Sequence, residues 1–286
     1  MVRAALLAIA AAGCAVEGNV LTSGADGGGS DATTGDGGGD AGGCPVVGAC
    51  PAPPAGDITV CGRVLDVETS APITGGAPTV RVFDFVDLRL DPAAAIAAAA
   101  VDPDACGWFT TTVDGLIGII VVHTGELPPA AGDHRRVIEV FTTAPGQTVR
   151  ANAWALRSDT DAAWSAAAGL GGQTFADLGS LLAIFVDVGE PAVAPLQGVP
   201  RAGATILVNG QAAAADDFYF ADPAALARTQ VAPAQAAAGA DGSGLLRDVP
   251  SLAEISGEVT GCAFPVVSTL SIAGTLQVQE IAGTCQ

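Results

Sequence analysis

The residues best able to do chemistry sit close together. The segment H-T-G-E-L-P-P-A-A-G-D-H carries His123, Glu126, Asp133 and His134, and it holds both histidines of the chain. Two imidazoles and two carboxylates are the ligand types of a hydrolytic zinc site. Their spacing, however, matches no H-E-x-x-H pattern on a helix. A Pro-Pro stretch between strands reads as a plain loop, so the expectation is no metal, with a metal-dependent hydrolase built on these four residues as the alternative. Serine catalysis lacks a G-x-S-x-G elbow, since Ser243 lies in a Gly-Ser-Gly turn. Carboxylate pairs cannot be singled out among 30 acidic residues. Trp108, Trp154, Trp164 and Tyr219 could stack on sugars, but aromatics make up 5% of the chain and are expected to fill the core instead. No cofactor is implied, and the expectation is a protein without enzymatic activity.

The rest of the chain must position whatever these residues do. Its 286 residues allow two domains of ordinary size. The formal net charge is −19, and arginine supplies every basic side chain. Such a surface repels phosphate backbones and anionic lipid, so nucleic acid is excluded as a partner. Hydrophobic content of 50% reflects alanine; beyond the first residues no apolar run reaches the roughly 18 residues a membrane helix needs.

The start, M-V-R-A-A-L-L-A-I-A-A-A-G-C, has a basic residue, a short apolar core and small residues before Cys14. It reads as a secretory signal. Its A-A-G-C ending resembles the bacterial lipobox, which implies that Cys14 becomes an acylated N-terminus; the alternative is a plain secretion signal. Residues 18–43 are Gly, Asp, Ser, Thr and Ala with almost nothing to bury, hence a tether. A coil of this length spans roughly 25–30 Å. Its aspartates do not follow calcium-loop spacing. Residues 44–56, C-P-V-V-G-A-C-P-A-P-P-A-G, are too proline-rich for a helix or a central strand.

Beyond Cys14 there are six cysteines, Cys44, Cys50, Cys61, Cys106, Cys262 and Cys285. Six allow 15 pairings. Cys262 and Cys285, isolated from the others, are the preferred pair, and the other four could staple the entry segment to the first domain. Disulfides imply an oxidising compartment.

Strand-like runs cover 60–67, 79–85, 108–113, 116–122, 137–142, 148–156 and 181–188, with 116–122 buried on both faces. Helices are expected after Asp91-Pro92 and over 158–168. An internal repeat is visible. V-L-D at 64–66, F-D-F at 83–85, D-P-A-A at 91–94 and D-A-C-G-W-F at 104–109 recur in order as F-V-D at 185–187, F-Y-F at 218–220, D-P-A-A at 222–225 and D-G-S-G-L-L at 241–246. G-A-T-I-L-V at 203–208 supplies the second copy's second strand. The repeat assigns turn and strand-end duties to Asp66, Asp104, Asp187 and Asp241.

G-R-V-L-D-V-E-T-S-A-P-I at 62–73 and D-P-D-A-C-G-W-F at 102–109 resemble the carboxypeptidase regulatory-like domain, a transthyretin-like β-sandwich. The resemblance implies an all-β fold of two antiparallel sandwiches in tandem, with support or recognition roles. The expected division is a signal (1–13), a lipid-anchored linker and entry segment (14–56), a first sandwich (57–157), a helical connector (158–180) and a second sandwich (181–286). The expected role is a binding or structural module of an outer-membrane or cell-surface lipoprotein, alternatively secreted. It would meet the membrane through its anchor and bind an envelope protein or glycan; a surface adhesin is the alternative.

Overall fold

A computed structural model describes residues 44, 50–92, 94–125, 133–213, 216–250 and 252–286. The signal segment, Cys14, the tether and Glu126 lie outside the described residues. The first repeat contains β1 (Ile58–Asp66), β2 (Val80–Asp84), α1 (Phe85–Leu90), β3 (Ala99–Val101), β4 (Trp108–Val113), β5 (Ile119–Thr124), β6 (His134–Thr142) and β7 (Thr148–Arg157). Helices α2 (Ser158–Ala167) and α3 (Phe175–Leu178) follow. The second repeat begins with β8 (Leu181–Asp187), β9 (Val199–Pro200), β10 (Thr205–Val208), β11 (Gln211–Ala212) and β12 (Asp217–Phe220). It continues with β13 (Val231–Ala232), β14 (Ser243–Leu246), β15 (Glu254–Glu258), β16 (Cys262–Ala263), β17 (Val267–Ser268) and β18 (Thr275–Cys285).

Each repeat is a sandwich with the same wiring. In the first, β1 pairs antiparallel with β4 and parallel with β7, while the facing sheet runs β3-β2-β5-β6. In the second, β8 pairs antiparallel with β14 and parallel with β18, facing a sheet ordered β11-β10-β15-β17. The sheets are otherwise antiparallel, apart from a short parallel ladder in which Thr275–Gln277 of β18 pairs with Arg136–Ile138 of β6. Through that ladder hydrogen bonding passes from one repeat to the other.

Alternation along the strands builds the layers. Ile58, Val60 and Val64 of β1 point inward with Val149, Ala151 and Ala153 of β7, forming the first sandwich core. Leu65, Trp154 and Leu156 point the other way, into a second core with Leu182, Ile184, Leu276 and Val278. The repeats therefore stack face to face. A third core lies inside the second sandwich, around Phe185, Ile206, Tyr219 and Ile281. At Gly62 the backbones of β1 and β7 approach so closely that a Cβ would overlap the Ala151 carbonyl oxygen, which is why β1 carries glycine there.

The repeat is real, but its register differs from the sequence match. Val64 N–H donates to the Gly107 carbonyl, and Phe185 N–H to the Gly242 carbonyl, both at 2.9 Å. Gly107 and Gly242 both have positive φ, 79° and 66°, the turn conformation that favours glycine. Gly242 thus corresponds to Gly107, two residues from the place the D-A-C-G-W-F match assigns. A slip of two preserves which side chains face the core, so hydrophobic pattern alone cannot detect it. F-Y-F and the second D-P-A-A are not counterparts of F-D-F and the first: Phe83 lies on β2, which pairs with β5, whereas Phe218–Phe220 lie on β12, which pairs with β14.

Two local expectations are corrected. Among the described residues no helix follows Asp91. The Asp84 carboxylate accepts from Val86 N–H at 2.8 Å and starts α1 directly at the end of β2. Asp91 holds a single turn, and 99–101 join the open edge of β2 as β3; pairing overrides alanine's helical preference. The apolar run begins later than expected, since Leu116 is 88% exposed. Strand β5 does bury both faces, Ile120 and Val122 in one core and Val121 in another.

Candidate functional site

Disulfides join Cys44 to Cys106, Cys50 to Cys61, and Cys262 to Cys285. The last crosses a directly opposed pair of β16 and β18. The first ties Cys44 to the turn before β4, and the second ties Cys50 to β1, which lies between β4 and β7.

The same outer face of β1 and β7 carries a concavity. Toward Leu65 and Trp154 the second repeat covers this face. Toward Arg63, Trp108, Arg150 and Asn152 it does not, and a cleft of about 590 Å³ remains. Arg63 stands directly between Trp108 of β4 and Asn152 of β7 in the strand register. Its Nε donates to the Cys106 carbonyl at 2.8 Å, and its guanidinium carbon lies 5.1 Å from the centre of the Trp108 ring. The far wall is the 192–197 connection between β8 and β9, with Leu226. Asn152 closes the floor by donating from Nδ2 to the Pro195 carbonyl (3.1 Å) and to Glu280 Oε1 (2.8 Å). Glu280 Oε2 accepts from Gln197 N–H at 3.1 Å.

Behind Gln197 lies a smaller cavity of about 270 Å³, lined by Glu139, Glu280, Phe85, Phe141 and Leu252 among others. Both carboxylates are buried, and Glu139 Oε2 has no hydrogen-bond partner among the described residues. Burial raises Glu139 well above the usual carboxylate range, and the charge of Glu280 pushes the same way. Burial also raises Glu280.

Arg228 ties the two repeats together. It is wholly buried. Its Nε donates to Ser243 Oγ (2.8 Å), and Nη1 donates to the Val67 carbonyl (2.9 Å) and Ser70 Oγ (2.8 Å). Asp241 Oδ2 lies 3.6 Å from Nε, and the guanidinium carbon is 5.5 Å from the centre of the Trp154 ring. Burial pushes Asp241 up to about 6, with Arg228 pulling against it. Asp241 is therefore a buried counter-ion rather than the turn aspartate that the repeat suggested. The other three serve strand ends and turns. Asp66 Oδ1 accepts from Thr69 N–H, Asp104 Oδ1 from Cys106 and Trp108 N–H, and Asp187 Oδ1 from Gly189 N–H.

The histidine segment does not converge. His123 is fully buried in β5, edge-on to Phe83 with ring centres 5.6 Å apart, and its Nε2 accepts from Arg136 Nε at 3.5 Å. Burial, then Arg136 and Arg81, pull its pKa down to about 3, so it is neutral at pH 7. His123 opposes Ile138 across the ladder, and His134, at the start of β6, opposes Arg157. Four residues of strand place the two histidines about 14 Å apart along β6. Asp133 gives its carbonyl to Ser158 N–H at 2.9 Å. Among the described residues no group of three or more His, Cys, Asp or Glu side chains is placed to hold a metal. Ser243 is buried and accepts from Arg228. Trp154, Trp164 and Tyr219 are buried in cores, whereas Trp108 is half-buried at the cleft. The functional side chains missed from sequence share one signal. Arg63, Glu139 and Glu280 are charges with apolar residues close by along their strands.

No protein-family model matches the chain, and no curated protein does. Solved structures with similarity include the Bacillus anthracis TIE protein (7% identity, TM-score 0.26), covering 80% of this chain and 34% of that one. The shaft pilin SpaA of Lactobacillus rhamnosus GG matches at 9% identity and TM-score 0.22, over 82% and 98%. A streptococcal ancillary pilin matches at 10% identity and TM-score 0.25, over 79% and 62%. The chain spans about a third of the length of the first of these. Among the described residues no helix is long and apolar enough to cross a membrane.

Proposed function

We propose that the chain is a non-enzymatic binding or structural module of a bacterial cell envelope, built from carboxypeptidase regulatory-like repeats and anchored by acyl chains on Cys14. The observation that carries this reading is the way the chain leaves its tether. Immediately after residues 18–43, Cys44 and Cys50 are bonded to Cys106 and Cys61, so the folded part is locked covalently at the point where a tether would pull on it. Three disulfides suit an extracytoplasmic compartment. The common wiring of the two repeats, β4-β1-β7 and β14-β8-β18, supports a tandem of like sandwiches. A neutral, buried His123 and a Ser243 engaged by Arg228 favour support or recognition over catalysis. The envelope partner is a protein or glycan. Intact-mass measurement of membrane-extracted protein tests the anchor. The expected species begins at Cys14 and carries acyl chains; an unacylated N-terminus near Gly13 would sink the lipoprotein reading.

A further inference from the structure

The cleft between the repeats has a composition at odds with the chain around it. Acidic residues outnumber basic ones 30 to 11 over the whole sequence. Yet the charged side chains lining the cleft are Arg63 and Arg150, with no carboxylate among the lining residues. The rest of the lining is largely apolar, including Leu65, Pro72, Leu196 and Leu226. Glu280, which does not line the cleft, has both oxygens occupied, by Asn152 Nδ2 and the Gln197 N–H. At about 590 Å³ the cleft falls within the roughly 300–1,000 Å³ of small-molecule sites, which pair apolar walls with a few fixed polar groups.

Arg63 is the fixed group. It is 8% exposed, its Nε is held by the Cys106 carbonyl, and the Trp108 ring supports its guanidinium. Its Nη2 has no hydrogen-bond partner among the described residues. The Cys44–Cys106 disulfide fastens the turn that supplies its carbonyl anchor, so the fork is held in place before any ligand arrives. Arg150, exposed on the neighbouring strand, adds a second positive charge at the rim. A guanidinium on the cleft wall offers a carboxylate a charge-assisted hydrogen bond. Arg63 is the buried cation of the lining and Arg150 is exposed at its rim, so one negative charge is balanced inside the cleft, whereas the second charge of a phosphate would meet only a solvent-screened partner.

We propose that this cleft binds a ligand carrying a single carboxylate on an apolar body, the carboxylate on Arg63 and the body against Pro72, Leu196 and Leu226. The inference stands apart from the lipid anchor: a chain that proves unacylated leaves it intact, and failed binding leaves the anchor intact.

The test is calorimetric titration of the full chain, disulfides intact, with 1-naphthaleneacetate, its neutral isostere 1-naphthaleneacetamide, and 1-naphthyl phosphate. The acid should bind at least about tenfold more tightly than the amide, the usual weight of a charge-assisted hydrogen bond. Arg63→Met should lose a similar factor, and Arg150→Gln about two- to fivefold, as expected of an exposed charge. Because Arg63→Met removes a packed side chain, Ala192→Trp serves as a second variant. Ala192 is exposed at the cleft mouth, and an indole there should block the acid without touching the core. Equal binding of acid and amide would overturn the proposal, as would acid binding unchanged by Ala192→Trp. Absence of acid binding in the millimolar range would overturn it too. Tighter binding of the naphthyl phosphate would overturn the carboxylate assignment.

Discussion

Replacing Arg228 by methionine probes what holds the two repeats face to face. The side chain is wholly buried and makes three hydrogen bonds, to Val67 and Ser70 of the first repeat and to Ser243 of the second, beside Asp241. Methionine keeps much of the volume over Trp154 but leaves Asp241 without its counter-ion. Removing one member of a buried pair costs about 3–5 kcal/mol. For a chain of this size that lowers the melting temperature by about 10 °C. Adding Asp241→Asn should return more than half of the loss, because the uncompensated charge is the main expense. The pH dependence gives an independent check. The Asp241 carboxyl sits at about 6 in the folded protein, above its ordinary value of 3.8. A raised carboxyl contributes stability that is complete below about pH 4 and fades as pH rises through the folded value. Without Arg228 that value climbs further, so the fall should continue to higher pH. The deficit of Arg228→Met should therefore be smaller at pH 5 than at pH 8. Thermal unfolding followed by circular dichroism at both pH values measures this. A deficit below about 1 kcal/mol, equal at pH 5 and pH 8, would refute the idea that this pair clamps the repeats.

Two further outcomes follow from the buried titratable groups. Glu139→Gln should raise the melting temperature at pH 8 and change it little at pH 4.5. The substitution removes a buried carboxylate that burial and Glu280 hold well above its usual range, and a raised group weakens the fold only at higher pH; a loss of stability at pH 8 would contradict this. His123, held down to about 3, has the opposite sign: it costs stability as pH falls below its ordinary value of 6.5. Its imidazole resonances should stay unchanged from pH 8 to pH 5, and His123→Gln should resist acid better than the parent; a titration midpoint within that range would show the site is open.

The repeat illustrates how far pattern reading reaches. V-L-D and F-V-D do mark equivalent strands, because the parallel partner of Asp66 is Ala155 and that of Asp187 is Gly283, at matching places in the two ladders. The sequence match places the glycine turn two residues from its structural position at Gly242, since a two-residue slip leaves every inward side chain inward. F-Y-F was mismatched because an aromatic triplet states that a strand is buried, not which sheet it joins. The helix expected after Asp91 failed for a similar reason: Asp84 and Asp91 are both competent caps, and the choice between them depended on where β2 stops and whether its edge is free to take β3.

Local chemistry in the chain determined a good deal: alternating strands, glycines at turns, an even set of cysteines after Cys14, and two copies of one plan. These depend on neighbours along the backbone, and periodicity records them. Tertiary structure decided the rest. No spacing rule places Asn152 beside Glu280, which is 128 residues away, or Arg228 beside Val67, 161 residues away. Those pairs exist because two sandwiches stack. The H-T-G-E-L-P-P-A-A-G-D-H segment, so prominent in sequence, is split by the β5–β6 register into a buried neutral His123 on one strand and a distant His134 at the start of the next. The same stacking left part of the β1–β7 face uncovered. There an arginine that reads as one more charge in a strand becomes the buried centre of a cleft.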